Sequence, residues 1–305
     1  MDSVKWSRKG IFAAGLLLIF LAGAGFGLGQ QAGRGDNLTL AAARAPSISA
    51  GAAILIDASD GTVLYEYNAD QKMYPASTTK IMTALVTLDV CRELNLGLDS
   101  EVIVPEEAEG VEGSSLYLKA GERLPLEELL YGLMLHSGND AAVALASCMG
   151  GTMELFVEQM NARATELGCE GTHFVNPHGL YDEHHYTTAR DLAVIAREAL
   201  RNIEFCEVVS AQKWSSQRAE ASENQEMTPL RSFANKNKTV FQYEGGDGVK
   251  IGYTQASGRT LVASATRNGV QVIAVVLNDG NWFEDAYALM DFGFETLGVS
   301  REEAK

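Results

Sequence analysis

Apolar and polar positions change rhythm twice along this chain. From Gly51, the run GAAILIDASDGTVLYEYNAD holds two apolar stretches around Ala58-Ser59-Asp60-Gly61, the pattern of two strands joined by a turn. From Arg259, RTLVASATRNGVQVIAVVLND repeats that form, with Asn268-Gly269 as a tight two-residue turn. GVKIGYT, starting at Gly248, is a further short strand just before it. Between these ends the apolar spacing lengthens to three and four residues. Leu126 to Met149 reads as helix with a break near His136, and Met153–Leu167 and Thr188–Ile203 show the same spacing. A last helix spans Trp282 to Thr296. Strands at both ends with helices between them predict an α+β fold. Its antiparallel sheet is completed by both ends, is flanked by helices, and carries an inserted helical subdomain over residues 90–210. Such a topology brings distant segments together.

The N-terminus has a different character. Lys5, Arg8 and Lys9 precede the uninterrupted apolar run Ile11–Leu21, which ends in the small residues Ala22-Gly23-Ala24, the form of an export signal. The apolar character continues to Leu28, long enough to span a bilayer, so a cleaved signal peptide and a retained membrane anchor both fit residues 1–28. Residues 29–49, rich in Gly, Ala and polar side chains, read as a linker, and 50–305 as the folded domain. A net charge of −16 argues against a nucleic-acid partner. Four cysteines, Cys91, Cys148, Cys169 and Cys206, lack CxxC or metal-ligand spacing; an exported protein could pair them in a connectivity the sequence does not give, and the favoured reading is small apolar packing residues.

Candidate chemistry begins at MYPASTTKIMTALVTL, where Ser77 stands three residues before Lys80. Pro75 precedes them, and Ile81, Met82, Leu85, Val86 and Leu88 follow at helical spacing, which puts Ser77 at a helix N-terminus. There the free N–H groups and the positive dipole end favour an alkoxide, and Lys80 shares the face of Ser77. A second such pair, Ser210 and Lys213, has no helix start around it. HSGND supplies Ser137 and Asn139 on a short turn, and GVKIGYT supplies Lys250 and Gly252 on a strand. Ser222-Glu223-Asn224 and Lys119-Ala120-Gly121 copy the second and third patterns, but outside that order and context.

A Ser-x-x-Lys helix start, a Ser-x-Asn turn and a Lys-x-Gly strand, in that order, resemble the signature of penicillin-binding proteins and serine β-lactamases. YPASTTKIMTAL, GSSLYLKAGE, LLYGLMLHSGNDAAVALA, FVNPHGLYDEHHYTTARDLAVIAREAL and GVKIGYTQASGRTLVASA are similar to the D-alanyl-D-alanine carboxypeptidase family, the low-molecular-mass penicillin-binding proteins of the S11 peptidase type. The resemblance runs from about Ala50 to Leu297. It implies removal of the terminal D-Ala from peptidoglycan stem peptides ending in D-Ala-D-Ala, covalent inhibition by β-lactams, and no cofactor or metal.

By the same resemblance Ser77 would be the nucleophile and Lys80 its base, kept neutral by burial and by the cation of Lys250. Ser137 would relay a proton to the leaving amine. Asn139 would hold the substrate amide and orient Lys80. Gly252 would let substrate backbone lie along the strand, and the N–H groups of Ser77 and Tyr253 would form an oxyanion hole. Lys250 would attract the terminal carboxylate. The family's Lys-Thr-Gly is Lys250-Ile251-Gly252 here, so a hydroxyl contact to that carboxylate is expected to be lost unless Thr254 or Arg259 replaces it.

Relatives often carry a further β-rich domain and an amphipathic anchor after the catalytic part. This sequence ends at REEAK, so any membrane attachment is expected from the N-terminal segment. The cluster His178, Asp182, Glu183, His184, His185 lacks HExxH spacing and reads as a cleft wall rather than a metal site. Two rivals remain at this level. A β-lactamase would need a dedicated carboxylate to activate water, and none stands in the expected context. A non-catalytic peptidoglycan-binding homologue would keep the fold alone.

Overall fold

The computed structural model describes residues 45–216 and 230–299. The expected export segment, nearly all of the linker and the Ser222-Glu223-Asn224 copy lie outside the described residues.

The two expected hairpins form. Strands β1 (Ala52–Asp57) and β2 (Val63–Tyr67) pair antiparallel, as do β8 (Gly258–Arg267) and β9 (Val270–Leu277). In the second turn Asn268 and Gly269 hold φ of 50° and 78°, the left-handed pair that a type I′ turn demands. With β7 (Gly246–Thr254), these strands build one five-stranded sheet in the order β2-β1-β9-β8-β7. β1 lies against β9, so the start of the folded domain completes a sheet whose other strands come from its end. β7 is an edge strand, with one row of backbone groups unpaired within the sheet.

Alternation along the strands sends side chains to two cores. Ala53, Leu55, Leu261, Ala263 and Val276 pack beneath the last helix, α8 (Trp282–Thr296), with Phe283, Leu289 and Phe294. Ile54, Ile56, Val262 and Val275 face the other way and join α1 (Lys80–Leu94) through Ile81, Met82 and Leu85. Each such buried aliphatic side chain contributes about 1.5–3 kcal/mol, so the sheet's register, and with it the site, is strongly specified.

The helical layer follows the expected spacing with one correction. The break near His136 is real: α2 (Leu126–Tyr131) passes through a π-type turn, Gly132–His136, and stops at Ser137, whose φ is +69°. α3 (Asn139–Gly150) and α4 (Met153–Glu166) follow, the latter capped by the Thr152 side chain, which accepts from Leu155 N. The helix expected over Thr188–Ile203 ends earlier, and Ile203 already belongs to the next helix. α5 (Ala189–Ala199) ends, and the Asn202 side chain accepts from Phe205 N to start α6 (Ile203–Ser210). Apolar spacing runs through both helices and does not register the cap that separates them. Ser210 is therefore the last residue of a helix, not a helix start.

Two small sheets, β3 (Glu101–Ile103) with β4 (Arg123–Pro125) and β5 (Lys213–Ser215) with β6 (Ser232–Ala234), tie the loops to this layer. Beside them Arg231 is buried between two acids. Its guanidinium donates to both Glu122 oxygens at 2.8 and 2.9 Å, to Glu128 Oε1 at 3.2 Å and to Leu116 O at 3.2 Å. Between β6 and β7 lies the short helix α7 (Thr239–Gln242). All four cysteines are free thiols. No single helix among the described residues is long and apolar enough to cross a membrane.

Candidate active site

Ser77 lies on a 3-10 turn, Ala76–Thr79, that leads directly into α1. The turn is forced into place. Ala76 holds φ of +50°, a conformation costly for a residue with a Cβ, and two glycines make room for it. A Cβ on Gly179 would sit 1.8 Å from Ala76 O. One on Gly252 would sit 2.4 Å from Thr260 Oγ1 and 2.9 Å from Ser77 N. Hence Gly252 is needed where β7 presses against the backbone of Ser77, a reason the sequence does not reveal.

Lys80 is completely buried at the start of α1. Its Nζ lies 3.1 Å from Ser77 Oγ, 2.7 Å from Asn139 Oδ1 and 2.7 Å from the carbonyl oxygen of His178. Burial first, and the Lys250 charge second, hold its pKa well below the ordinary lysine range. A neutral amine has two hydrogens and one lone pair. With both hydrogens donated to Asn139 Oδ1 and His178 O, the lone pair is left for the Ser77 hydroxyl.

Lys250 enters from β7 and is also buried. Its Nζ donates to Ser137 Oγ at 3.1 Å and to Ile251 O at 3.0 Å. Burial, and then the cation of Lys236, bring its pKa down to about 7. Lys80 carries the charge of Lys250 as an added burden on its protonated form. Asn139 opens α3, and one hydrogen of its amide goes to Glu112 O at 2.6 Å. Asp140 next to it accepts from Leu116 N and Leu118 N and from the Ser115 hydroxyl, which pins the 114–118 loop over this corner.

The geometry thus brings Ser77, Lys80, Ser137, Asn139, Lys250 and Gly252 into one cluster from a helix start, a turn and a strand. Tyr253 and Thr254 continue β7 beyond it. Tyr253 is exposed, and the Thr254 hydroxyl is engaged with Ser257 Oγ at 2.9 Å. Arg259 donates to Gly280 O at 3.3 Å. Ile251 itself is half-buried and packs on the α8 side of the sheet. The copied motifs are elsewhere: Lys119 pairs with Glu109 on an exposed loop, and the Ser210 hydroxyl donates to Cys206 O.

Several contributors carry no side-chain signature that sequence reading could find. The His178 carbonyl reaches Lys80 because the Asn176 carboxamide holds the loop, accepting from Gly179 N at 2.7 Å and donating to Leu180 O at 3.0 Å. Thr83, on α1, ties the same loop down through Pro177 O at 2.6 Å. His185 is buried, and burial lowers its pKa to about 4, so its ring is neutral. Its Nδ1 accepts from Val175 N, leaving Nε2 to donate to Thr79 Oγ1, which donates to Ala76 O at 2.8 Å. Of the histidines expected to wall the cleft, His185 holds the serine turn through Thr79, His178 offers its backbone carbonyl to Lys80, and His184 is exposed beside Glu183. Among the described residues no three His, Cys, Asp or Glu side chains group as a metal would require.

Comparison with known proteins finds relatives over most of the chain. Residues 39–281 match the Peptidase_S11 family model, D-alanyl-D-alanine carboxypeptidase. The chain is 35% identical over 246 residues to the D-alanyl-D-alanine carboxypeptidase DacF of Bacillus subtilis, a match covering 79% of this chain and 61% of that one. It is 35% identical over 260 residues to DacC of Escherichia coli, covering 82% and 62%. The chain therefore spans about three-fifths of the length of these relatives. Among solved structures, the Streptomyces K15 DD-transpeptidase superposes with a TM-score of 0.75 at 34% identity, covering 82% of this chain and 99% of that one. Penicillin binding protein 6B of Escherichia coli gives a TM-score of 0.75 at 32% identity, covering 83% and 79%. With its serine turn, its two buried lysines and a family match over most of its length, the chain belongs to the D-alanyl-D-alanine carboxypeptidase family of S11 peptidases.

Proposed function

We propose that the protein is an extracytoplasmic serine D-Ala-D-Ala carboxypeptidase that removes the terminal D-alanine from peptidoglycan stem peptides through an acyl-enzyme on Ser77. The observation that carries this reading is Lys80. It is a wholly buried amine, lowered in pKa, with two acceptors for its hydrogens and its remaining position 3.1 Å from the Ser77 hydroxyl.

Lys80 takes the proton of Ser77 as Oγ attacks the carbonyl carbon of the penultimate D-Ala. The N–H groups of Ser77 and Tyr253 receive the developing oxyanion, each donor worth about 3 kcal/mol. Support comes from the closeness of β7 to Ser77 N at Gly252. The C–N bond then breaks, and the proton passes through Ser137 to the leaving amine of D-alanine. Water cleaves the ester and restores the serine. Lys250, still charged below about pH 7 and held against Ser137, attracts the substrate's terminal carboxylate. Asn139 keeps Lys80 in register and offers its second amide hydrogen to the substrate. β-Lactams, as strained amides carrying a carboxylate, acylate the same serine.

The test is release of D-alanine from a peptide ending in D-Ala-D-Ala. The wild-type protein releases it and Ser77→Ala does not. Equal release by both proteins overturns the assignment of the nucleophile, and no release by either favours a binding homologue without catalysis.

A further inference from the structure

The turn that presents Ser137 is held from outside by a residue that takes no part in the steps above. The π-type turn ends at Leu135 and His136, and a helical segment that stops leaves its last carbonyl oxygens without partners inside it. One residue takes both oxygens. Lys236 N donates to Leu135 O at 3.2 Å, and Lys236 Nζ donates to His136 O at 2.7 Å. Ser137 follows at once with φ of +69°, a conformation that persists only where the surroundings enforce it.

The cap is itself firmly seated. Asn235 and Asn237, on either side of Lys236, are buried, whereas Lys236 is exposed. The Asn235 amide donates to Val209 O at 3.1 Å and to Ala211 O at 3.0 Å, and its Oδ1 accepts from Asn237 N at 2.9 Å. Asn237 Oδ1 accepts from Thr239 N at 3.0 Å, at the start of α7. Two lysines therefore grip one turn. Lys236 holds the His136 carbonyl, and Lys250 donates to the Ser137 hydroxyl at 3.1 Å.

Four charged or titratable groups share this corner with Lys236: Lys80 from α1, His136 from the π-type turn, Asp140 from α3 and Lys250 from β7. After burial, the Lys236 cation is the next cause that lowers the pKa of Lys250 and of His136. It lowers Lys80 as well, behind burial and the Lys250 charge. Asp140 opposes it at Lys80 and at His136. Burial lowers the pKa of Lys236 itself.

We propose that Lys236 is a positioning residue for the reaction, holding the Ser137 hydroxyl against Lys250 by capping the turn that carries it. This inference rests on the acyl-enzyme reading and adds to it the support of the proton relay. The ammonium has a second consequence, because Lys80 must lose a proton to act and Lys250 must keep one. Removing a neighbouring cation raises the pKa of both, so both limbs of the pH profile move toward higher pH. A cap that was merely structural would slow the reaction and leave the limbs in place.

The experiment measures kcat/KM for D-alanine release against pH, from a peptide ending in D-Ala-D-Ala, for the full chain and for Lys236→Met, Lys236→Gln and Lys236→Arg. Lys236→Met should be slower at its optimum by about 10-fold, as a displaced Ser137 requires, with both limbs higher by about 0.5 unit or more. Lys236→Gln, polar and uncharged, should move both limbs in the same way, and it decides the matter where melting curves show Lys236→Met to be unfolded. Lys236→Arg keeps charge and donors, and should hold both limbs at the wild-type pH with a rate within about 3-fold of wild type. Limbs unmoved in both uncharged variants, or limbs moved equally in Lys236→Arg, overturn the role of Lys236 while leaving the acyl-enzyme intact. No release by the wild-type chain, together with no penicillin adduct on Ser77, overturns the acyl-enzyme reading and this role with it.

Discussion

Gly252→Ala adds one carbon at the point where the edge strand touches the backbone of Ser77. The new Cβ would stand 2.4 Å from Thr260 Oγ1, 2.9 Å from Ser77 N and 3.1 Å from Ala76 Cβ. Thr260 cannot simply rotate away, because it is buried and its hydroxyl donates to Pro75 O at 3.0 Å. The serine turn and β7 must therefore separate, by about half an ångström or more. Overpacking of this kind costs about 1–3 kcal/mol of stability. The larger effect falls on rate, because displacing a reacting group by about 1 Å can cost about 100-fold. Stopped-flow acylation by a chromogenic β-lactam, alongside urea denaturation, measures both. The double variant Gly252→Ala/Thr260→Ala removes the 2.4 Å contact and not the one with Ser77 N. It should regain part of the stability and little of the rate. Acylation of Gly252→Ala within about 3-fold of the wild-type rate would refute the claim that this glycine sets the spacing between strand and serine.

Other consequences are as direct. Arg231→Met leaves the Glu122 carboxylate buried without its bidentate partner and should cost about 3–5 kcal/mol in denaturant unfolding, with Glu122→Gln in the same chain restoring part of it. The pH dependence of kcat/KM should have two limbs. The rising limb belongs to Lys80, which becomes a base only on losing its proton, and whose lowered pKa moves that limb toward acid. The falling limb lies near pH 7, where Lys250 loses the charge that attracts the substrate carboxylate, and it should vanish for an ester substrate lacking that carboxylate. Asn176→Ala frees the loop that presents the His178 carbonyl, and should slow acylation by about 10-fold or more while lowering the pH at which the first limb appears, since the ammonium form of Lys80 loses an ordered acceptor.

How much of this could be read in the sequence divides along physical lines. Period-two runs and the Asn268-Gly269 turn gave both hairpins, because strand alternation and turn chemistry are local. The bounds of α8 and the break at His136 were legible for the same reason. The division of Thr188–Ile203 was not, since Asn202 ends one apolar rhythm and begins another without changing it. The order of the Ser77, Ser137 and Lys250 motifs predicted that these side chains meet, and they do. What escaped were backbone contributions and long-range packing: the His178 carbonyl, the cation of Lys236 beside Lys250, and Arg231 meeting Glu122 across more than a hundred residues. Gly252 was singled out for one neighbour only. Sequence suggested room for substrate, and the structure adds the nearer demand of Ser77 N.

The central claim is that a buried, uncharged Lys80 makes Ser77 the single reactive hydroxyl of this chain. Intact-mass analysis after incubation with benzylpenicillin at neutral pH, followed by mapping of the modified peptide, tests it most directly. The account predicts one adduct per chain, on the peptide holding Ser77, and none in Lys80→Met. An adduct on another serine, or undiminished labelling of Lys80→Met, would contradict it.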